Sequence, residues 1–307
     1  MMAWSMAHRI AHIAAVQAHH DLQLVSGCFP IPVAAAIERD DVTLMWRPMD
    51  QLFGTFIRVG HARGILVNEQ LTRAGRRHTA AHELGHHRFG HRVDPGSPCA
   101  VVTDDGSAPP RRWTPDEQAA EAFSDWFLMP LQAVRAALSC LGLNRPDSPA
   151  SVYQLSLLLG TTYRATARHC VSLRLASSTT GRAWAGVSPG LLKQRMLVDQ
   201  LSSTRDVDVW WMQQPTGSGL PVTRYLSPGD RLVMPKRSLV DPGELPVAGN
   251  GPAQVVLIAP RDGVHTLQQS TVDGVTLDVR IVIEPRPHGL HRSSDSDLTQ
   301  RECEVTA

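Results

Sequence analysis

The sequence predicts an α+β protein with a mostly helical N-terminal half and a β-rich domain near its C-terminus. Apolar residues recur at helical spacing in several segments between residues 3 and 176, separated by one short stretch in which apolar and polar residues alternate. From about residue 182, prolines and glycines separate short runs of β-forming residues. We therefore expect helices packed around a small antiparallel sheet, followed by a separate β domain.

The composition is that of a globular protein with no overall electrostatic preference for a partner. Its 307 residues are 42% apolar, enough to bury a full core. Thirty basic residues against twenty-nine acidic ones give a net charge of +1, which excludes a general attraction to nucleic acid or anionic lipid. The five cysteines form no CxxC pair, so we expect reduced thiols in a cytoplasmic protein. The sequence contains no run of eighteen apolar residues, so it predicts no membrane span.

The first elements are two helices and a sheet. Residues 3–25 have helical periodicity, and residues 30–40 form a second, short helix. Residues 43–49 and 55–69 alternate between apolar and polar positions, with a turn between Gly60 and Gly64. These strands make the small antiparallel sheet.

Two further helices follow, separated by a loop. The first is predicted from Arg73 to His91, and the loop covers residues 93–112, which are rich in Pro, Gly, Asp and Ser. Thr114 is a good capping residue, with proline next and acids in the first turn, so the second helix begins there and ends near Met129.

The rest of the chain contains a paired helix motif and then strands. Residues 148–176 predict two helices around a Gly-Thr-Thr break, the pattern of a helix-turn-helix. We assign residues 146–180 to this unit, 181–290 to the β-rich accessory domain and 291–307 to a disordered tail. Within the β-rich domain the predicted strands are residues 206–212, 230–234, 253–259 and 275–284.

The helix predicted from Arg73 to His91 contains the segment RRHTAAHELGHHRFGH, in which His82, Glu83 and His86 fit the pattern HExxH. Residues four apart on a helix project from one face, so the two imidazoles can bind one zinc ion. Glu83 is placed to take a proton from a water that attacks a carbonyl, without binding the metal itself. The alternative is an exposed basic helix that matches the pattern by chance, because the pattern fixes only three positions.

A catalytic zinc ion usually has a third protein ligand. The metzincin pattern requires a glycine and a histidine where this chain has Phe89 and Arg92, which excludes that class. The helix after the loop offers Glu117 and Glu121, one turn apart on one face. The first can bind the metal and the second can accept the N–H of a ligand histidine. Alternatively, Glu117 only complements the helix N-terminus and Glu121 points to water.

Two ordered pieces of the chain resemble the ImmA/IrrE family of zinc-dependent metallopeptidases. GILVNEQLTRAGRRHTAAHELGHHRFGH is similar to the family's strand and helix at the metal site, and EQAAEAFSDWFLMP is similar to its second signature. The resemblance covers roughly residues 25–175 and implies a zincin-like metallopeptidase domain, which we place at residues 1–145.

The resemblance implies a role for each matching residue. His82, His86 and Glu117 would bind one catalytic Zn²⁺, and Glu83 would act as general base. The family often has asparagine or aspartate where this chain has Glu121, and glutamate where it has Ala119, so an exchange of roles between Glu117 and Glu121 remains open.

The resemblance also implies a substrate. Family members act inside bacterial cells and cleave a helix-turn-helix transcriptional repressor, which releases stress-response or mobile-element genes. We therefore expect a cytoplasmic endopeptidase whose partner is a regulatory protein. The alternative is a DNA-binding regulator with a structural or unused metal site, in which Arg164 and Arg168 of the second helix contact phosphates.

Overall fold

The computed structural model describes residues 2–50, 52–91, 114–197, 207–213 and 223–291. The predicted loop at residues 93–112 and all but the first residue of the predicted tail lie outside these ranges. The chain divides into two units, of which the first comprises Met1–Ala137, Leu155–Ala185 and Pro287–Ala307, and the second Leu138–Gln154 and Gly186–Arg286.

Helices and strands occur in separate runs along the described residues, as is typical of an α+β protein. The helices are α1 (Met2–Asp21), α2 (Val33–Arg39), α3 (Arg73–Phe89), α4 (Pro115–Leu128), α5 (Leu131–Cys140), α6 (Pro149–Leu159), α7 (Tyr163–Ser172), α8 (Ser178–Ala185) and α9 (Pro189–Met196). The strands are β1 (Thr43–Arg47), β2 (Gly54–Val59), β3 (Ala62–Asn68), β4 (Val209–Trp211), β5 (Thr223–Leu226), β6 (Arg231–Pro235), β7 (Leu239–Asp241), β8 (Val247–Asn250), β9 (Gln254–Ile258), β10 (Gly263–Ser270), β11 (Thr276–Ile283) and β12 (Gly289–Leu290).

The sheet of the first unit has the strand order β12-β1-β3-β2 and is mixed. β2 and β3 form the predicted antiparallel hairpin, and Gly60 adopts the left-handed conformation its turn requires. β1, however, pairs with β3 in parallel, so the prediction of an antiparallel sheet is wrong for this pair. The reason is the connection after β1, which carries the chain past β3 to the far edge. Asn68 holds it there, donating to the backbone carbonyls of Met49 at 2.6 Å and Leu52 at 3.0 Å.

The two helices predicted around the loop begin at capped residues. Thr72 Oγ1 accepts a hydrogen bond from Gly75 N at 3.1 Å, and Thr114 Oγ1 accepts one from Glu117 N at 3.2 Å. α3 ends at Gly90, which has a φ of 67° and adopts the left-handed conformation common at helix ends. The caps therefore fix where each helix starts and how its first turn is oriented.

The core of the first unit centres on α4, which packs against α1 on one side and α3 on the other. α1 presents the fully buried small residues Ala11, Ala15 and Ala18. On α4, Phe123 and Phe127 are fully buried and their rings stack with centroids 5.5 Å apart. The two helices that carry the candidate site therefore pack directly against each other.

The second unit contains two four-stranded sheets, with the orders β5-β11-β10-β7 and β4-β6-β9-β8. Its strands include the four predicted runs. The expectation of β structure from about residue 182 is wrong at its beginning, because residues up to 196 form α8 and α9. Both helices are short. The sequence features that could have indicated their starts are Ser177, which caps α8, and Pro189 in the first turn of α9.

Two expectations about the protein's setting can be compared with the structure. Among the helices of the described residues, none combines the length and apolar character needed to cross a bilayer. Cys28 is disulfide-bonded, so the expectation that every thiol is reduced is wrong for this residue. Its spacing from the other cysteines carried no signal, because the pairing depends on tertiary proximity.

Candidate metal centre

Two imidazoles on α3 converge at the centre of the first unit. His82 and His86 are one helical turn apart and almost completely buried, at 0% and 2% exposure. Their Nε2 atoms lie 3.1 Å from each other. Burial of two imidazole nitrogens facing one point requires a shared proton or a shared cation, because two lone pairs or two N–H groups would repel at this distance.

Glu117 brings a carboxylate to the same point from the first turn of α4. Its Oε2 lies 3.2 Å from His82 Nε2 and its Oε1 3.4 Å from His86 Nε2. Burial raises the pKa of Glu117, but hydrogen bonds and charge from the two histidines outweigh this and lower it far below its ordinary value. The side chain of Glu117 is 20% exposed, so the site opens to solvent on the α4 side.

These three donors fit a tetrahedral divalent metal ion. The ligand atoms of His82, His86 and Glu117 all lie within 4.8 Å of one another. Two nitrogens bound to tetrahedral zinc at about 2.0–2.1 Å stand roughly 3.3–3.4 Å apart, close to the spacing of the two Nε2 atoms. Two imidazoles and a carboxylate are also a ligand set that catalytic zinc uses, with a fourth position left for water or substrate. The residues present can therefore hold such an ion.

Glu83 follows the first of these histidines and is 1% exposed. Its Oε2 makes no hydrogen bond to the described protein atoms, which is unusual for a buried carboxylate oxygen. Strand β2 passes close to this side of α3: a Cβ on Gly54 would stand 2.4 Å from Thr79 Cγ2 and 3.5 Å from Glu83 Cγ. Glycine at position 54 is thus needed for the edge strand to lie beside the helix.

Comparison with known proteins identifies this part of the chain. Residues 37–142, about a third of its length, match the peptidase family model described as the IrrE N-terminal-like domain. The match confirms the resemblance to the ImmA/IrrE family for this part of the chain. The matched range runs from α2 to the end of α5 and contains the whole candidate metal centre. No curated protein matches the chain.

Within the IrrE-like domain, Glu121 lies behind His82, on the side of the imidazole that faces away from the converging donors. The carboxylate is fully buried, and its Oε2 stands 3.4 Å from His82 Nδ1 and 3.0 Å from His78 Nε2. Its other oxygen, Oε1, accepts a hydrogen bond from Arg168 Nη2 at 2.9 Å. Burial raises the pKa of Glu121, but His78, His82 and Arg168 together lower it well below its usual range. Glu117 is thus among the converging donors, and Glu121 is behind them.

Several residues around Glu121 were not predicted as part of the site. His78 has an exposure of 0% and contacts both Glu121 and Ser124 Oγ, the latter at 3.2 Å. Asp125 is also buried, which raises its pKa to about 7. His78, Glu121 and Asp125 form a second group of ligand-type atoms within 4.8 Å of one another. The available signal was the four-residue spacing of His78 from His82, and of Glu121 from Asp125.

The second histidine of the candidate metal centre, His86, also has a partner in the IrrE-like domain. His86 Nδ1 lies 3.0 Å from His91 Nδ1, and His91 Nε2 lies 3.5 Å from Asp116 Oδ1. Burial lowers the pKa of His91. His91 and Asp116, which the sequence left outside the site, therefore flank it from the ends of α3 and α4.

The two arginines predicted to face DNA lie on α7, outside the matched range. Arg168 is the residue that contacts Glu121, and Arg164 precedes it by one helical turn. Most of α7 is buried. Its residues with exposures of 2% or less are Tyr163, Ala165, Thr166, Ala167, His169 and Cys170.

Proposed function

We propose that this protein is a zinc-dependent endopeptidase that cleaves an intracellular regulatory protein, with a helix-turn-helix transcriptional repressor as the substrate class. The observation that carries the proposal is the convergence of His82 Nε2, His86 Nε2 and the Glu117 carboxylate, at 3.1–3.4 Å from one another. The match to a peptidase family gives this donor set its chemical context. The choice of substrate, the cytoplasmic setting and a role in stress response rest on the resemblance to the family.

The reaction needs a Lewis acid, a base and a positioned peptide bond. A zinc ion on His82, His86 and Glu117 would polarise the scissile carbonyl and make a water molecule more acidic at neutral pH. Glu83 accepts the proton of the attacking water and passes it to the nitrogen of the leaving amine. Its buried carboxylate, with one oxygen unbonded to described protein atoms, is available for this transfer.

A DNA-binding regulator with a structural metal site has less support. A recognition helix must present one face to the major groove. In α7 the side chains of six of the ten residues have exposures of 2% or less, and Arg168 is bound to a buried carboxylate. Most of the helix surface is thus buried by packing within its own unit. Hydrolysis of a peptide bond, the reaction of the family, needs no contact with DNA.

The test is cleavage of a repressor encoded near this chain's gene, incubated with the purified protein with and without a chelator. We expect cleavage that stops on chelation and returns with added zinc. Glu83→Gln should abolish cleavage while zinc binding persists, because Glu83 is not among the donors. Glu244→Gln, on a side chain that is 85% exposed, is the matched control and should cleave at the wild-type rate. Cleavage that survives Glu83→Gln would refute the mechanism.

A further inference from the structure

A guanidinium outside the matched family domain contacts the carboxylate behind the candidate metal centre. Arg168 Nη2 donates to Glu121 Oε1 at 2.9 Å, across 47 positions of sequence. The Glu121 side chain is completely buried, whereas that of Arg168 is 37% exposed. A buried carboxylate is strongly destabilising unless it is paired and hydrogen-bonded, so this contact, together with that of His78, helps to hold the Glu121 carboxylate in place.

The other oxygen of Glu121 lies between two histidines and contacts His78 Nε2 at 3.0 Å as well as the metal-binding histidine. Oε2 lies 3.4 Å from His82 Nδ1, and the opposite ring nitrogen, His82 Nε2, is one of the converging donors. A carboxylate beside Nδ1 keeps the proton on that nitrogen and leaves the lone pair of Nε2 for the metal. The orientation of the imidazole therefore depends on the orientation of the Glu121 carboxylate.

We propose that Arg168 is a positioning residue for the metal site, acting on His82 through Glu121. Its planar guanidinium occupies Oε1 and fixes the plane of the carboxylate, so that Oε2 points at the imidazole. Without it, the carboxylate can rotate, and His82 loses the partner that fixes its tautomer. This inference rests on the metal site of the proposed function but does not depend on which protein is cleaved.

The proposal gives Arg168 a different role from the phosphate contact considered as the alternative in the sequence analysis. Arg168 lies in α7, at residues 163–172, whereas the family match ends at residue 142. Helix α7, which follows the matched domain, would then complete the metal site. Loss of the docking of α7 would weaken metal binding even though every ligand is unchanged.

Zinc affinity of the purified full chain, measured by competition with a chromogenic chelator, tests the proposal. Arg168→Gln should weaken zinc binding by about 10–100-fold, the usual effect of removing a partner behind a metal ligand. Arg168→Lys keeps a positive charge near Oε1 and should recover part of the loss. Arg182→Gln makes the same charge change at an exposed position on α8 and should leave the affinity unchanged. Circular dichroism and thermal melting of the metal-free variants establish that each is folded.

A double-variant cycle identifies the route of the effect. If Arg168 acts through Glu121, then Arg168→Gln should add little to the loss caused by Glu121→Gln, because the interaction is already broken. Additive losses would overturn the proposal. Wild-type zinc affinity in Arg168→Gln would also overturn the proposal. Tighter zinc binding in this variant would overturn it as well, because the guanidinium would then act only by repelling the cation.

These outcomes are separate from failure of the proposed function. If His82→Ala leaves zinc affinity unchanged, the metal is bound elsewhere and both proposals fail. If zinc binding follows the predicted pattern but no repressor is cleaved, the substrate assignment fails and the role of Arg168 stands.

Discussion

Replacing Gly85 by alanine should separate the two helices that carry the candidate metal site. Gly85 lies between the two histidines of α3 and faces α4. A Cβ at this position would stand 3.1 Å from Ala120 Cα, and 3.1 and 3.2 Å from Phe123 Cδ1 and Cβ. Non-bonded carbons pack best at about 3.5–4.0 Å, so α4 would have to move by several tenths of an ångström. Ala120 Cα is a backbone atom, and Phe123 Cβ is bonded directly to the backbone of its own residue. A change of side-chain rotamer therefore cannot relieve these contacts.

The expected cost follows from two opposing contributions. Adding a methyl group to a well-packed interface costs about 1–3 kcal/mol. Alanine is more favourable than glycine within a helix by about 0.8–1.0 kcal/mol. We therefore expect Gly85→Ala to lower the free energy of unfolding by about 1 kcal/mol. The displacement also reaches Glu117, one turn before Ala120 on α4, and should weaken zinc binding about tenfold, because the ligand distances are set by the spacing of the helices.

Urea denaturation of the metal-free protein and chelator competition for zinc measure the two effects. Gly64→Ala is the control, because a Cβ there would meet only Thr43 O, at an ordinary distance of 3.6 Å. Its stability should stay within about 0.5 kcal/mol of wild type. A Gly85→Ala protein that is about 1 kcal/mol more stable than wild type, with unchanged zinc affinity, would refute the reasoning.

Two further substitutions test the packing around the site. His169 is buried and donates to Met129 O at 3.0 Å, and burial lowers its pKa to about 3, against 6.5 in the unfolded chain. The unfolded state therefore binds more protons between these values, and stability that is complete above pH 6.5 falls by roughly 2 kcal/mol at pH 5. His169→Gln can still donate to Met129 and should remove that part of the acid sensitivity, so superimposable pH profiles in chemical denaturation would contradict the assignment. Asn68→Ala removes the bonds that hold the loop between β1 and β2, including those to Met49 O at 2.6 Å and Leu52 O at 3.0 Å. We expect a loss of about 2–3 kcal/mol in urea denaturation, at about 1 kcal/mol per bond, whereas a loss below 0.5 kcal/mol would show that the loop needs no such anchor.

The elements that carry the site could be predicted because their signals are local. Capping hydroxyls at Thr72 and Thr114 mark the starts of α3 and α4, and Gly90 marks the end of α3. Hydrophobic periodicity alone could not decide strand direction. The parallel pairing of β1 with β3 depends on a loop held by Asn68, which is a tertiary contact. The short α8 and α9 lie below the length at which periodicity is informative.

By itself, the sequence determined which residues could carry the chemistry. Helical spacing puts His82 and His86 on one face, and a carboxylate pair at helical spacing predicts a second helix directed at them. Only the tertiary structure decided how those helices meet. Glu117 joins the imidazoles and Glu121 lies behind them because α4 packs against α3 in one register. Arg168, 47 residues from its partner, could not be assigned to the site from its own surroundings in the sequence, since contacts across such separations are specified by the packing of the whole core.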